Sequence, residues 1–252
     1  GFFPIDQPYT KMVDQFSALG SMLRITSMIL VLPILCSISL SLLAPDLAVI
    51  LRILITIISI VGSIGWLLSE NSQDGRSYAT MAIAGMAFAS ALSGQQHAAI
   101  IWGVSLVLTM TPLFFYNTRT RMLDILPLIC CLLFSGIPFT PNAIGWFGLI
   151  SAPVTAMDIL FIFVPMFILA GGFKHISKLP VSSLRQMDPW MRSVYPLGFI
   201  AAIVTHLLIS ILTWDEQFSL GIWQASIGSL AGAILIWQLV HMYHLPRKNR
   251  KP

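Results

Sequence analysis

Apolar runs of about twenty residues recur along the whole chain, and short polar segments separate them. A run of that length can cross the hydrocarbon core of a membrane as a helix. We therefore predict helices over about 23–43, 47–68, 77–93, 97–116, 122–138, 153–172, 193–213 and 221–243. The pattern predicts an all-α polytopic membrane helix bundle of about eight transmembrane helices, with residues 1–252 forming one membrane domain.

Turn and charge signals mark the boundaries of these helices. They are Ala44-Pro45-Asp46, Glu70-Asn71-Ser72-Gln73-Asp74-Gly75, Asn117-Thr118-Arg119, Thr140-Pro141-Asn142 and Trp214-Asp215-Glu216. Pro33 and Pro112 interrupt two predicted helices, and Ser135-Gly136-Ile137-Pro138 ends the fifth. Such breaks free backbone carbonyls at membrane depth, so they indicate either packing kinks or a transport path.

When successive loops between these helices are assigned to alternate faces of the membrane, the lysine and arginine residues of the loops fall on one face. That face receives Lys11, Arg76, Arg119, Arg121, Lys174, Lys178, Arg185, Arg192, Arg247, Lys248, Arg250 and Lys251. The other face carries Asp46, Asp215 and Glu216. Because basic loops stay in the cytoplasm, we predict that both termini are cytoplasmic. The connection 174–192 is predicted to lie at the interface, and the basic tail 247–251 to meet anionic lipid headgroups.

Composition supports a membrane protein. Hydrophobic residues make up 56% of the chain and charged residues only 10%, whereas a soluble domain carries roughly a quarter charged residues. We predict a multi-pass protein of a bacterial plasma membrane or an organellar inner membrane. No basic stripe with interleaved aromatic residues points to nucleic acid. Cys36, Cys130 and Cys131 lie in apolar runs without ligand spacing, so we predict neither a metal nor a cofactor.

Three ionisable residues fall well inside predicted spans. Counted from the acidic face, Arg52, Asp158 and His206 are all roughly 8–12 Å deep, so they could share one layer. They are interpreted as a structural ion pair, as part of an ion path, or as residues that never meet. His206 alone could also hold a haem or pigment. No phosphate loop, Ser-His-Asp arrangement or metal cluster appears, so the chain is not expected to be an enzyme by itself.

Four short motifs appear in a familiar order along the first part of the chain. They are Phe16-Ser17-Ala18-Leu19, Arg76 with Ala79 and Ile83, Ala98-Ala99-Ile100, and Ser135-Gly136-Ile137-Pro138. Through these motifs, the segment from about residue 5 to residue 150 resembles the antiporter-like membrane subunits. That family includes the proton-pumping subunits of respiratory complex I and the large subunits of multisubunit cation/proton antiporters. The resemblance implies an antiporter-like half, which three further transmembrane helices follow in 151–252.

The resemblance also implies which positions would relay protons. It places Ser27 where many members carry a buried lysine, and it places Trp102, Leu106 and Met110 where they carry two histidines and a second lysine. None of these side chains can hold and release a proton near neutral pH. The chain therefore departs from the family at the positions that carry the family's chemistry.

These observations predict a non-catalytic membrane subunit of a larger ion-translocating or redox-linked complex. Its partners would be other membrane subunits and the lipid bilayer. Two alternatives stay open: an active component of a proton or sodium transporter, and a structural subunit of an electron-transfer complex that binds a pigment or haem.

Overall fold

The structure, a computed structural model, describes residues 45–115, 125–150, 155–178, 189–213 and 220–244. Within these ranges every regular element is a helix. The elements are α1 Pro45–Leu68, α2 Ser72–Leu92, α3 Gln96–Ser105, a π-helical segment Leu106–Met110, α4 Thr111–Phe115, α5 Ile125–Phe134, α6 Asn142–Leu149, α7 Ala156–Lys178, α8 Pro189–Leu212 and α9 Leu220–His244. The helix predicted over 23–43, Ser27 and the basic tail lie outside the described residues.

Four of the described helical segments are long and apolar enough to cross a membrane. They are Asp46–Leu68, Gln96–Leu113, Ala156–Lys178 and Gly221–Met242. All four were predicted from the hydrophobic runs. The shorter apolar helices Ile125–Phe134 and Pro196–Leu212 fall within two further predicted spans. The all-helical prediction is therefore confirmed for the described part of the chain, and four of its helices have the length and composition to cross a membrane.

Helices α1 and α2 form a tight antiparallel hairpin. Pro45 begins α1 at a position that needs no backbone donor, and Asp46 lies in its first turn. The two helices approach so closely that a Cβ on Gly62 would lie 2.8 Å from the Tyr78 carbonyl oxygen. Small residues line the facing side of α2, as its alanine-rich sequence predicts.

Buried serine and threonine hydroxyls are satisfied inside their own helices. Thr56 donates to the Arg52 carbonyl, Ser59 to the Ile55 carbonyl and Ser90 to the Met86 carbonyl, at 2.7–3.0 Å. Each bond reaches back one turn along the same helix. These hydroxyls can therefore be buried in an apolar bundle without unpaired polar atoms.

Helix α7 packs between α1 and α9, and all three run in the same direction. Its contacts with α1 advance along both helices, from Arg52 with Asp158 to Leu67 with Lys174. Its contacts with α9 advance likewise, because Met166 lies against Gly232 and the Phe173 and Trp237 rings are 6.3 Å apart. The central layer of the described bundle is thus three parallel helices.

The fifth predicted helix, 122–138, is discontinuous, as its closing motif predicts. Helix α5 ends at Phe134, and Gly136 and Phe139 adopt the left-handed region with φ of 71° and 73°. The sequence interpretation missed α6, which begins at Asn142. Asn142 was predicted in a loop, yet it is fully buried, and its amide donates to the Phe134 carbonyl at 3.0 Å.

Helix α6 runs antiparallel to α3 and seals the break against it. Trp102 donates its indole N–H to the Gly145 carbonyl at 3.0 Å, and Ser105 hydrogen-bonds Asn142. Since Ser105 is about 14 Å from the start of α3, Asn142 lies near the middle of the bundle. The Thr140-Pro141-Asn142 segment is therefore an interior break, because Asn142 finds partners on α3 and α5 and Thr140 donates to the Ile137 carbonyl.

A π-helical segment precedes Pro112. Proline has no backbone N–H and its ring collides with the carbonyl one turn earlier, which widens the preceding turn. The Thr111 hydroxyl accordingly reaches the Leu106 carbonyl, five residues back, at 3.3 Å. The helix continues past Pro112, so the predicted interruption appears only as a π-bulge directly before the turn that holds this proline.

The close approach of α1 and α2 predicts opposite effects for two glycine substitutions. Gly62→Ala should destabilise the protein by about 1–3 kcal/mol, because the new Cβ collides with backbone atoms of α2. Gly228→Ala is the matched control, since a Cβ there meets nothing within 4 Å and alanine favours helix. Thermal unfolding in detergent measures both. Equal effects of the two substitutions would contradict the described hairpin.

Candidate functional site

An ion pair joins α1 to α7 near the helix starts. Arg52 Nη2 donates to Asp158 Oδ1 at 2.6 Å. The aspartate is fully buried, whereas 27% of the arginine side chain is exposed. A buried charge is tolerated only when it is paired and hydrogen-bonded, and this carboxylate meets both conditions. The structure therefore brings together two of the three residues predicted from equal depth.

Asp158 also caps its own helix. Thr155 donates its backbone N–H to Asp158 Oδ2 at 2.8 Å, and its hydroxyl accepts from the Asp158 backbone N–H at 3.4 Å. This reciprocal arrangement is a capping box, and the helix dipole favours a negative charge there. The sequence interpretation missed it. The threonine three residues before an acidic residue, ahead of an apolar run, was the signal.

His206 does not join the ion pair. Its Nε2 lies 3.1 Å from the Thr109 hydroxyl and its Nδ1 lies 2.9 Å from the Ala202 carbonyl. Thr109 is about 20 Å from the start of α3, whereas Arg52 is about 10 Å from the start of α1 at the same end of the bundle. The equal depths predicted from the sequence do not bring His206 to the ion pair, because the helix that carries it, α8, packs on α5 and the π-helical segment.

Both nitrogens of His206 are engaged. A carbonyl oxygen can only accept, so Nδ1 donates to Ala202, and in a neutral ring Nε2 then accepts from the Thr109 hydroxyl. The ring is 1% exposed. An iron or pigment could reach Nε2 only by displacing Thr109, so this histidine is not presented as an open ligand.

The relay positions implied by the family resemblance lie in the packed core. Trp102, Leu106 and Met110 are 0%, 1% and 1% exposed. Leu106 and Met110 are the first and last residues of the π-helical segment, while the Trp102 ring packs against those of Phe134 and Trp146. None of these three side chains carries a group that titrates near neutral pH.

A second polar cluster joins the other ends of α1 and α7. Lys174 Nζ donates to the Leu67 and Ser69 carbonyl oxygens at 2.6 and 2.8 Å. His175 Nε2 lies 3.1 Å from the Trp66 carbonyl, and its ring centroid is 4.3 Å from that of Trp66. We call Trp66, Leu67, Ser69, Lys174 and His175 the lysine clamp.

The lysine clamp corrects the predicted end of this helix. Residues from 174 onward were expected in an interfacial connection, but α7 continues to Lys178 and buries Lys174 and His175 at 6% and 5% exposure. The carbonyls at the end of α1 lack partners in their own helix, and the lysine supplies donors for them. A basic pair directly after an apolar run was the signal for this role.

The acidic, histidine and cysteine side chains of the described residues do not gather into a metal site. The described residues contain no group of three or more His, Cys, Asp or Glu side chains close enough to hold an ion. Cys130 and Cys131 are free and buried within α5. The ion pair and the lysine clamp therefore serve to join α1 to α7.

The unequal burial of the ion pair predicts unequal mutational costs. Arg52→Met should cost about 3–5 kcal/mol, because it leaves the buried Asp158 carboxylate without its counter-charge. Asp158→Asn should cost about 1–3 kcal/mol, since the arginine can extend toward solvent or headgroups. Adding Asp158→Asn to Arg52→Met should restore part of the loss. Unfolding measurements on the three variants test this, and strictly additive costs would contradict the pairing.

Comparison with known proteins adds no identification to this geometry. No protein-family model, curated protein or solved structure matches the chain.

Proposed function

We propose that this chain is a non-catalytic membrane subunit of a larger ion-translocating or redox-linked complex, related to antiporter-like subunits but without their lysine and histidine relay. One observation carries the proposal: Trp102, Leu106 and Met110, the described positions where the family resemblance implies titratable groups, are packed apolar or indole side chains. At these three positions the helix contributes packing contacts, and the groups that would carry protons in the family are absent.

The contacts around Trp102 support a closed scaffold. Gln95, His97, Ala98, Ile144 and Phe147 line an open cleft of about 300 Å³ at one end of the bundle. One turn below Ala98, the fully buried Trp102 ring hydrogen-bonds α6 and closes the interface between the two helices. Apolar side chains exclude water from a proton path, and an indole N–H that already donates a hydrogen bond to a carbonyl cannot relay a proton.

The proposed topology has eight crossings with both termini in the cytoplasm. In this arrangement α5 and α6 together make one crossing, with their break near its middle, and the helix predicted over 23–43 supplies the first. Lysine and arginine then gather on the cytoplasmic face. We accordingly propose a multi-pass protein of a bacterial plasma membrane or an organellar inner membrane.

Exposed apolar faces support membrane partners. On α1, α8 and α9 large hydrophobic side chains stay exposed, among them Ile50, Ile57, Leu197, Leu208 and Leu235. A water-soluble protein rarely exposes so much contiguous apolar surface. We propose that lipid and helices of other membrane subunits cover these faces, and that anionic headgroups meet the basic tail.

The two alternatives find less support in the geometry. A transporter that used Arg52, Asp158 and His206 would need a route between the ion pair and the histidine, whose bonds go to Thr109 and Ala202 instead. A haem- or pigment-binding subunit would need an open ligand, and both nitrogens of His206 are engaged. A purified sample without a visible absorption band would agree with this reasoning.

Proton flux into liposomes tests the proposal. The purified chain, reconstituted with a pH-sensitive dye inside the vesicles, should give the flux of empty liposomes under an imposed potential, because its relay positions cannot carry protons. A protonophore added at the end shows that the dye responds. Asp158→Asn should leave the flux unchanged.

Robust flux through the unmodified chain that Asp158→Asn abolishes would contradict the scaffold proposal and favour a transporter. Pull-down from detergent-solubilised membranes addresses the partners. A complex that contains other integral membrane subunits is expected, and a chain recovered alone under mild detergent would count against a subunit role.

A further inference from the structure

The end of α1 offers a group of oxygen atoms that the proposed function does not use. The Trp66, Leu67 and Ser69 carbonyls and the Ser69 hydroxyl are directed toward the end of α7. The last carbonyls of a helix have no partner within it and carry the negative end of the helix dipole. Carbonyl oxygens at helix ends are the groups with which membrane proteins bind monovalent cations.

The occupant of this oxygen cradle is an ammonium group from the chain itself. Lys174 Nζ is 2.6 Å from the Leu67 oxygen and 2.8 Å from the Ser69 oxygen, and only 6% of the residue is exposed. The charged groups that act on it are the exposed Lys178 and Glu70, which have opposite signs. Backbone oxygens therefore supply its direct partners.

His175 closes the side of the cradle. The Ser69 hydroxyl donates to the Trp66 carbonyl at 2.7 Å, so the Ser69 oxygen can only accept from the histidine. The Trp66 carbonyl also accepts, and Nε2 must therefore carry a proton and donate to both. The histidine consumes the remaining acceptors, which leaves the Leu67 and Ser69 carbonyls to the cation.

We propose that the α1 end of the lysine clamp is a monovalent-cation site and that Lys174 fills it as a tethered cation. The side chain replaces an ion that would otherwise be drawn from solution, so the junction of α1, α2 and α7 is held without dependence on Na⁺ or K⁺. Removal of the ammonium by a short substitution leaves two buried carbonyls unpaired and a space where a small cation fits.

Thermal unfolding of Lys174→Ala in detergent tests the site, with choline chloride as the only salt at the start. The variant should unfold roughly 5 °C below the unmodified protein, because the carbonyls lose their donor. KCl, NaCl or methylammonium chloride should then restore at least half of the loss in a saturable manner. Neither the unmodified protein nor Lys178→Ala, the exposed control on the same helix end, should respond.

Two further variants keep the test decisive if Lys174→Ala does not fold. Lys174→Arg retains a cation and should be stable and insensitive to salt. Lys174→Met fills the space with an apolar chain and should be destabilised without recovery by any cation. Stability of Lys174→Ala equal to the unmodified protein in choline chloride would overturn the proposal. So would a loss that no cation restores, or a Lys174→Arg variant as unstable as Lys174→Met.

Discussion

The pairing of α1 with α7 is the constraint on which the described bundle depends. An apolar environment offers no water to satisfy polar groups, so every charge and every unpaired carbonyl in it needs a partner within the protein. Helices α1 and α7 meet this need at both ends, with Arg52 and Asp158 at one and the lysine clamp at the other. The two points are about 22 Å apart along α1, which fixes both direction and register.

At the lysine-clamp end of the seam between the two helices, a large side chain of α1 packs against a small residue of α7. The Trp66 indole donates to the Ile168 carbonyl at 2.9 Å and packs where Gly171 has no side chain. Since α2 packs against α1 and α9 against α7, the position of both neighbours follows from this seam. The small-residue contacts between α1 and α2 extend it into a layer, and the broken helix α5–α6 closes against α3 on the far side.

Much of the fold could be predicted because hydrophobic runs of membrane length are a strong signal. The ion pair was also predictable, since two opposite charges inside apolar runs have few ways to be satisfied except with each other. The separate position of His206 could not be predicted, because depth along a helix says nothing about which helices touch. Helix α6 was missed because it has only eight residues and follows Pro138 and Pro141, which are typical of a loop. Only the structure shows that Asn142 has partners on α3 and α5.

The parallel pairing of α1 and α7 can be measured directly with spin labels at exposed positions, where a label disturbs little packing. Leu47 and Ile159 are 45% and 51% exposed at one end, and Leu68 is 70% exposed at the other. The account predicts a shorter distance between labels at 47 and 159 than between labels at 68 and 159, which are separated by about 22 Å along the helix axes. A short 68–159 distance with a long 47–159 distance would contradict it.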